Sequence, residues 1–277
     1  GGAGFIGHNL AIYLKNLGAE IHIIDGLEVN NLTSVISNRD NLPNPELSKE
    51  IIFNRLDLIK KNDISLYVKD ARDYTSLSGL ITDIGPDIIV HLAAISHANK
   101  SNKDPYSTFD HSSRTLENAL DISRNRNVKH FIYFSSSMVY GNFQQGQVDE
   151  NSICNPLGIY GALKYSGEKI IIAYNQVFNL PYTIIRPSAL YGERCISRRV
   201  GQIFIENALT NKEITISGSG EDKLDFTYIE DLCSGVARII ENKNSINQIF
   251  NLTYGSARTL NDMVSLLSKD FPKIKIN

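Results

Sequence analysis

Tyr160 and Lys164 stand four residues apart inside a stretch, 158–178, whose apolar residues recur with helical spacing. Their side chains therefore share one helix face. An ammonium beside a phenol favours the phenolate, which makes such a tyrosine usable as a base near neutral pH. Spacing alone does not choose the pair, because Tyr165 and Lys169 have it too. Five residues turn a helix by about 140°, so the two pairs lie on different faces. Just before this helix, the strand-like run Phe131–Phe134 ends in Ser135-Ser136-Ser137-Met138-Val139-Tyr140-Gly141. Hydroxyls at the carboxyl end of a strand point into the crevice where open α/β sheets bind ligands.

A second group opens the chain. Gly1, Gly4 and Gly7 are spaced G-x-x-G-x-x-G and lead into a helical pattern over 5–17. Glycines let the backbone approach a pyrophosphate, and the first-turn N–H groups and helix dipole stabilise its charge. Asp25 lies 18 residues after Gly7, at the end of the apolar run Ile21–Ile24. An acid there accepts hydrogen bonds from an adenosine ribose and disfavours a 2′-phosphate, so NAD is expected rather than NADP. Each feature alone has a plainer reading: a glycine-rich turn, a solvated acid before Gly26, a polar strand end.

The elements that must position these residues alternate along the chain. The pattern predicts helices over 5–17, 46–60, 74–84, 106–125 and 158–178. Between them it predicts strands over 21–24, 66–68, 88–92, 131–134 and 182–185, with loop over 26–45. Such alternation implies an α/β, Rossmann-type doubly wound parallel sheet. After Pro187 the pattern loosens. Residues 1–187 are expected to form a dinucleotide-binding domain, and 188–277 a smaller, interleaved α/β substrate-binding region.

Composition narrows the classes. Net charge is −2, which argues against a nucleic-acid surface. No run of 18 apolar residues exists, so no membrane-spanning helix and no membrane partner is expected. Cys154, Cys195 and Cys233 fit no zinc or disulfide spacing and read as reduced thiols of a cytoplasmic protein. The histidines form no H-x-x-x-H pattern, so no metal site is expected.

Taken in order, these motifs resemble those of the extended short-chain dehydrogenase/reductases, in particular the NAD-dependent sugar-nucleotide epimerase/dehydratase group. The resemblance runs through Gly1-Gly2-Ala3-Gly4-Phe5-Ile6-Gly7, Asp70-Ala71-Arg72-Asp73, His91-Leu92-Ala93-Ala94, the Ser135–Gly141 segment, and Pro156 followed by Tyr160 and Lys164. It continues through Arg186-Pro187, Tyr191-Gly192 and Asp225–Leu232. It implies that Gly1, Gly4, Phe5, Ile6 and Gly7 hold NAD with Asp25, and that Asp70 and Ala71 meet the adenine. Leu92, Ala93 and Ala94 would lie along the cofactor, and Ser135, Tyr160, Lys164 and Pro187 would complete its site. Counting back four from Tyr140 selects Ser136, and the family's Pro-x-x-x-Tyr-x-x-x-Lys selects Tyr160 over Tyr165. Ser136, Tyr160 and Lys164 would be catalytic, with Tyr160 taking a proton from a sugar hydroxyl.

Ser137 and Met138 stand beside the substrate in this reading, where family members that dehydrate carry an Asp-Glu pair, those that decarboxylate a Glu, and those that epimerise at C3 or C5 a Cys. Elimination leaves C4 epimerisation of a nucleotide sugar. Leu224 stands where the family has an Arg that binds substrate phosphate, with Lys223 one earlier, and Ala189 and Ser112 replace frequent Asn residues. Arg194, Arg198 and Arg199 form a basic cluster, some of which is expected to replace the missing phosphate ligand. Helices 106–125 and 158–178 resemble the family's homodimer interface. A one-way NAD(P)-dependent reductase or dehydrogenase, a 4,6-dehydratase and an inactive Rossmann-type binding protein stay open as alternatives. Because the cofactor loop of a β-α-β unit follows a first strand, Gly1 is expected to be internal to a longer chain. The sheet of 1–277 is expected to lack that strand, and Lys273–Asn277 to begin a further one.

Overall fold

The computed structural model describes residues 1–37, 44–96, 98–143, 146–196 and 199–277. Its strands form parallel ladders joined by helices. Strand β1 (His22–Asp25) pairs with β2 (Ser65–Val68). A second parallel sheet runs β3 (Ile88–His91), β4 (His130–Phe134), β5 (Tyr182–Pro187) and β8 (Gln248–Leu252), in that order. The third sheet joins β6 (Ala189–Tyr191), β7 (Lys223–Tyr228) and β9 (Ala257–Thr259).

Every residue of β4 and β5 is buried, as expected of strands covered on both faces. Alternation divides them between two cores. Ile132, Phe134 and Ile185 face Leu10 of α1 (Phe5–Asn16) and Ile229 and Val236 of α10 (Ile229–Glu241). Phe131, Tyr133 and Ile184 face Leu116 and Leu120 of α7 (Thr115–Asn125) and Ile171 of α8 (Gly158–Phe178). This is the expected doubly wound arrangement, with β8 and α10 returning to the central sheet after the β6 segment.

The two parallel sheets meet at the glycine loop. The Gly1 nitrogen donates to Ile24 O (2.9 Å), and Gly2 N donates to the same oxygen (3.4 Å). On the other side, a Cβ on Gly1 would lie 2.7 Å from Leu92 C and Ala93 N, just past β3. Among the described residues, β1 and β3 share no hydrogen-bonded ladder.

Several expectations need correction. The stretch 26–45 is not all loop. Helix α2 (Leu32–Ile36) begins there through a capping box between Asn31 and Ser34, and residues 38–43 lie outside the described ones. Helix α3 (Pro45–Lys61) starts on a proline at its first position, with Asn44 as cap. A short polar helix, α5 (Ala98–Lys103), follows α4 (Tyr74–Ile84) without any apolar repeat to announce it. The predicted helix 106–125 is divided into α6 (Pro105–Phe109), a π-helical turn (Asp110–Arg114) and α7. Helices α9 (Val200–Leu209) and α11 (Leu260–Asp270) pack on the third sheet's side through Phe204 and Val264. Near the chain's end, Ile276 makes a single parallel bridge with Ile214. No helix among the described residues is long and apolar enough to cross a membrane.

Helix α8 turns glycines toward the elements it packs on. A Cβ on Gly161 would lie 2.8 Å from the Met138 carbonyl oxygen and 3.1 Å from Pro156 Cβ. The obstacle is backbone, which cannot swing aside. Gly161→Ala is expected to destabilise the fold by about 1–3 kcal/mol, read from the urea midpoint. An unchanged midpoint would show that α8 and the turn at Met138 separate freely.

Candidate active site

The site is built where β4 ends. Ser135 N continues the ladder by donating to Ile185 O (2.7 Å), and Ser135 Oγ donates to Glu168 Oε1 (2.5 Å). Ser136 is extended and caps the 3₁₀ turn Ser137–Tyr140, its Oγ accepting from Met138 N (3.2 Å). The Ser136 side chain also lies near enough to the Tyr160 phenol to act on its ionisation. Tyr160, in the first turn of α8, is buried. One turn on, Lys164 Nζ donates to Phe134 O (2.6 Å) and lies 4.9 Å from the centre of the Tyr133 ring. The competing pair is elsewhere: Lys169 is exposed and stacks on the half-buried Tyr165 ring.

Desolvation dominates the electrostatics. Burial pulls the Lys164 ammonium down to about 8, with the Glu168 carboxylate acting in the opposite sense. Burial pushes the Tyr160 phenol above its usual range, while the Ser136 side chain and the Arg199 charge favour the phenolate. Lys164 was expected to lower Tyr160. Instead its ammonium is engaged by the Phe134 carbonyl, and Ser136 and Arg199 supply the favourable interactions.

The groups expected around a dinucleotide converge at the same edge. No side chain caps α1, whose N-cap is Gly4, so its first-turn N–H groups suit an anion. Asp25 Oδ2 accepts from Ala3 N (2.9 Å) and Oδ1 from Leu27 N (2.7 Å). It locks the glycine loop to β1, and each oxygen keeps a second acceptor site for a ribose hydroxyl. Asp70 is held by Arg72 (Nη2–Oδ2 2.6 Å), which also reaches Asp110 (2.9 Å) and Glu28 (3.2 Å). Ala71 O accepts from Asn118 Nδ2 (3.0 Å). Leu92, Ala93 and Ala94 are half-buried just past β3, and Pro187 closes β5 against Leu252.

The substrate residues are more dispersed. Ser137 and Met138 lie in the 3₁₀ turn, Met138 well exposed. Lys223 is exposed at the start of β7, opposite Thr259. Arg198 lies outside the described residues. Arg194 does not reach outward: its Nε donates to His8 Nε2 (3.0 Å) and its Nη2 to Asn9 Oδ1 (3.1 Å), both on α1.

Three residues escaped the sequence reading. Glu168 stands four after Lys164 and forms a buried ion pair with Arg186 (2.7 Å); the repeat Tyr160, Lys164, Glu168 was its signal. Arg55 is buried on the Ile52–Ile59 face of α3, a charged residue within an apolar stripe. His8 directly follows Gly7, and burial pulls its imidazole down to about 4.

A sequence model of the NAD dependent epimerase/dehydratase family matches residues 1–253. The chain belongs to this family. Among similar members, an uncharacterized UDP-glucose epimerase, YtcB, of Bacillus subtilis is 33% identical over 186 residues, 66% of this chain and 58% of that protein. A dTDP-D-glucose 4,6-dehydratase of Dictyostelium discoideum is 30% identical over 269 residues, 91% of this chain and 56% of that protein. The chain thus spans little more than half the length of these curated relatives. The crystal structure of a UDP-glucuronic acid 4-epimerase from Bacillus cereus, in complex with UDP-glucuronic acid and NAD, superposes with a TM-score of 0.86. It is 28% identical, and the match covers 99% of this chain and 83% of that one.

Two outcomes are expected of this family member. Glu168→Gln leaves Arg186 buried without its counter-charge and should cost about 3–5 kcal/mol of stability by chemical denaturation; a change under about 1 kcal/mol would show that water reaches the pair. The second concerns pH. Burial pulls His8 down to about 4 and His91, stacked on Phe131 and Tyr133, down to about 3. The unfolded chain, with imidazoles near 6.5, therefore binds more protons than the folded one below that pH. Stability from both groups is full above about 6.5 and is lost as pH falls toward about 4. The melting temperature should fall across that window; a flat profile would mean that both imidazoles charge freely in the folded state.

Proposed function

We propose that this chain converts a nucleotide sugar to its C4 epimer through a 4-keto intermediate, using NAD. The observation that carries the reading is the buried Ser136–Tyr160 contact at the carboxyl end of β4, followed by Ser137 and Met138. Tyr160 of α8 is thus the one proton-transferring group here, and the turn sets no acid–base pair beside it. C4 epimerisation needs only one.

The residues fit the cofactor. The first-turn amides of α1, Gly1, Gly4 and Gly7 would hold the pyrophosphate, Asp25 the adenosine ribose, Asp70 and Ala71 the adenine, and Lys164 the nicotinamide ribose. When bound, NAD supplies a hydride acceptor that can return the hydride to the opposite face of the keto sugar. Tyr160 takes the proton of the sugar hydroxyl during oxidation and gives it back during reduction. Ser136 holds the reacting oxygen beside Tyr160. Burial of Tyr160 and Lys164 keeps the exchanged proton away from bulk water.

The Bacillus cereus neighbour, named as a 4-epimerase with NAD bound, supports this reading. The Dictyostelium relative favours 4,6-dehydration instead; that chemistry asks for a further acid and base where Ser137 and Met138 stand. We assign cofactor binding to residues 1–187 and substrate binding to 188–277, and place the enzyme in the cytoplasm. A homodimer is the state that suits the apolar groove of about 340 Å³ lined by Pro105, Tyr106, Phe109, Ile159, Ala162 and Leu163. Tyr106 is 87% exposed there, and a second copy would cover it.

The test is turnover of a panel of UDP- and dTDP-hexoses and hexuronic acids by the full-length protein with NAD. The expected product is the C4 epimer, and Tyr160→Phe should lower kcat by about 10²–10⁴ while NAD still binds. A 4-keto-6-deoxy product would overturn the reading in favour of dehydration.

A further inference from the structure

His8 lies on α1, just after the glycine loop, and is completely buried. Its tautomer is fixed by its neighbours. Nδ1 faces the Gly4 carbonyl (2.8 Å), which can only accept, so Nδ1 carries the proton. Nε2 is then free to accept, and it accepts from Arg194 Nε (3.0 Å). Arg194 adds a bond from Nη2 to Asn9 Oδ1 (3.1 Å). The Arg194 backbone is left-handed (φ 62°), which is uncommon for a non-glycine residue and is held here by contacts at both ends. Its carbonyl accepts from both Nε and Nη2 of Arg55, a residue of α3 that is 1% exposed. Three distant segments are thereby joined: α3, the loop after β6, and the glycine-loop helix.

Two guanidiniums lie close together here. Among the described residues no carboxylate is hydrogen-bonded to Arg55 or Arg194, and the imidazole between them is neutral. Burial pulls Arg55 down to about 10; Arg194 adds to that effect, while Cys195 and the Asp25 carboxylate act against it. An anion bound at the N-terminus of α1 would offset these two cations. Arg199, five residues further along the sequence, caps α9, and its charge acts on Tyr160.

We propose that Arg55, Arg194 and His8 form a latch that ties the segment just after β6 to the glycine-loop helix, so that dinucleotide retention and the setting of the substrate side after β6 are one coupled event. All three are positioning residues. The inference rests on the dinucleotide site proposed above, but not on which sugar is turned over.

The experiment uses full-length protein loaded with NADH, with release followed by loss of NADH fluorescence on dilution into excess NAD. Arg194→Met keeps the aliphatic stem and removes the guanidinium. It should release NADH about tenfold faster than the parent, as expected for losing hydrogen bonds from a charged donor. At saturating NAD, KM for the nucleotide sugar should rise severalfold while kcat stays within about twofold, since no reacting group has been touched. Should the Met variant melt below the assay temperature, Arg194→Lys, which keeps the charge but cannot span His8 and Asn9 together, should show a smaller acceleration of the same kind. A folded variant that releases NADH at the parental rate overturns the latch. A parent that binds NADH but turns over no nucleotide sugar overturns the proposed epimerase and leaves the release comparison readable. A parent that binds no NADH overturns the latch together with the dinucleotide site.

Discussion

A carboxylate and a guanidinium, both almost out of water, fix helix α8 against the sheet. Glu168 on α8 is 1% exposed and Arg186 on β5 is 3% exposed. Arg186 Nε and Nη2 each reach one carboxylate oxygen, at 2.9 and 2.7 Å. Burying two charges is costly unless their remaining donors and acceptors are also satisfied. Here Ser135 Oγ donates to Glu168, and Arg186 Nη1 donates to Tyr140 OH, which donates to Asn251 of β8. The network therefore spans α8, β5, the turn after β4, and β8. Sliding α8 along the sheet would strand a charge in the interior. Lys164 and Tyr160 lie one and two turns before Glu168 on the same face, so the ion pair also sets where those two side chains stand.

The same burial that makes this pair demanding shapes the chemistry. A phenol in a dry pocket resists ionisation, and an ammonium there gives up its proton more readily. Glu168 offsets the second tendency, keeping Lys164 more basic than burial alone would leave it. Against the first, the chain sets Ser136 and the more distant Arg199. Arg199 stands five residues after Arg194, whose guanidinium reaches His8 and Asn9 of α1. The glycines at 161 and 167 complete the arrangement by letting α8 approach Met138 and Tyr133.

Much of this was legible in the sequence, for physical reasons. The β-branched and aromatic runs of β4 and β5 and the long repeat of α8 announce buried strands and a covering helix. Ser136, Tyr160 and Lys164 stand at strand-end and helix-face positions that spacing and motif order identify. What stayed hidden depends on distance or on local capping. The direction of Arg194 follows from a left-handed backbone and from His8, 186 residues earlier. Glu168 has a visible spacing from Lys164, but its partner Arg186 is defined only by the packing of α8 on β5. Helices α2 and α5 and the π-helical turn are short and polar, so periodicity does not mark them. The upward shift of Tyr160 comes from desolvation, which no spacing records.

The central claim of the proposed function is that a hydride leaves C4 of a nucleotide sugar and returns to C4 beside Tyr160. It is tested most directly with a nucleotide hexose deuterated at C4, incubated with the full-length protein and NAD and followed by NMR. The account predicts a product with inverted configuration at C4 and the deuterium still on that carbon. Deuterium found at C6, or released into free reduced cofactor with a keto sugar left behind, would contradict it.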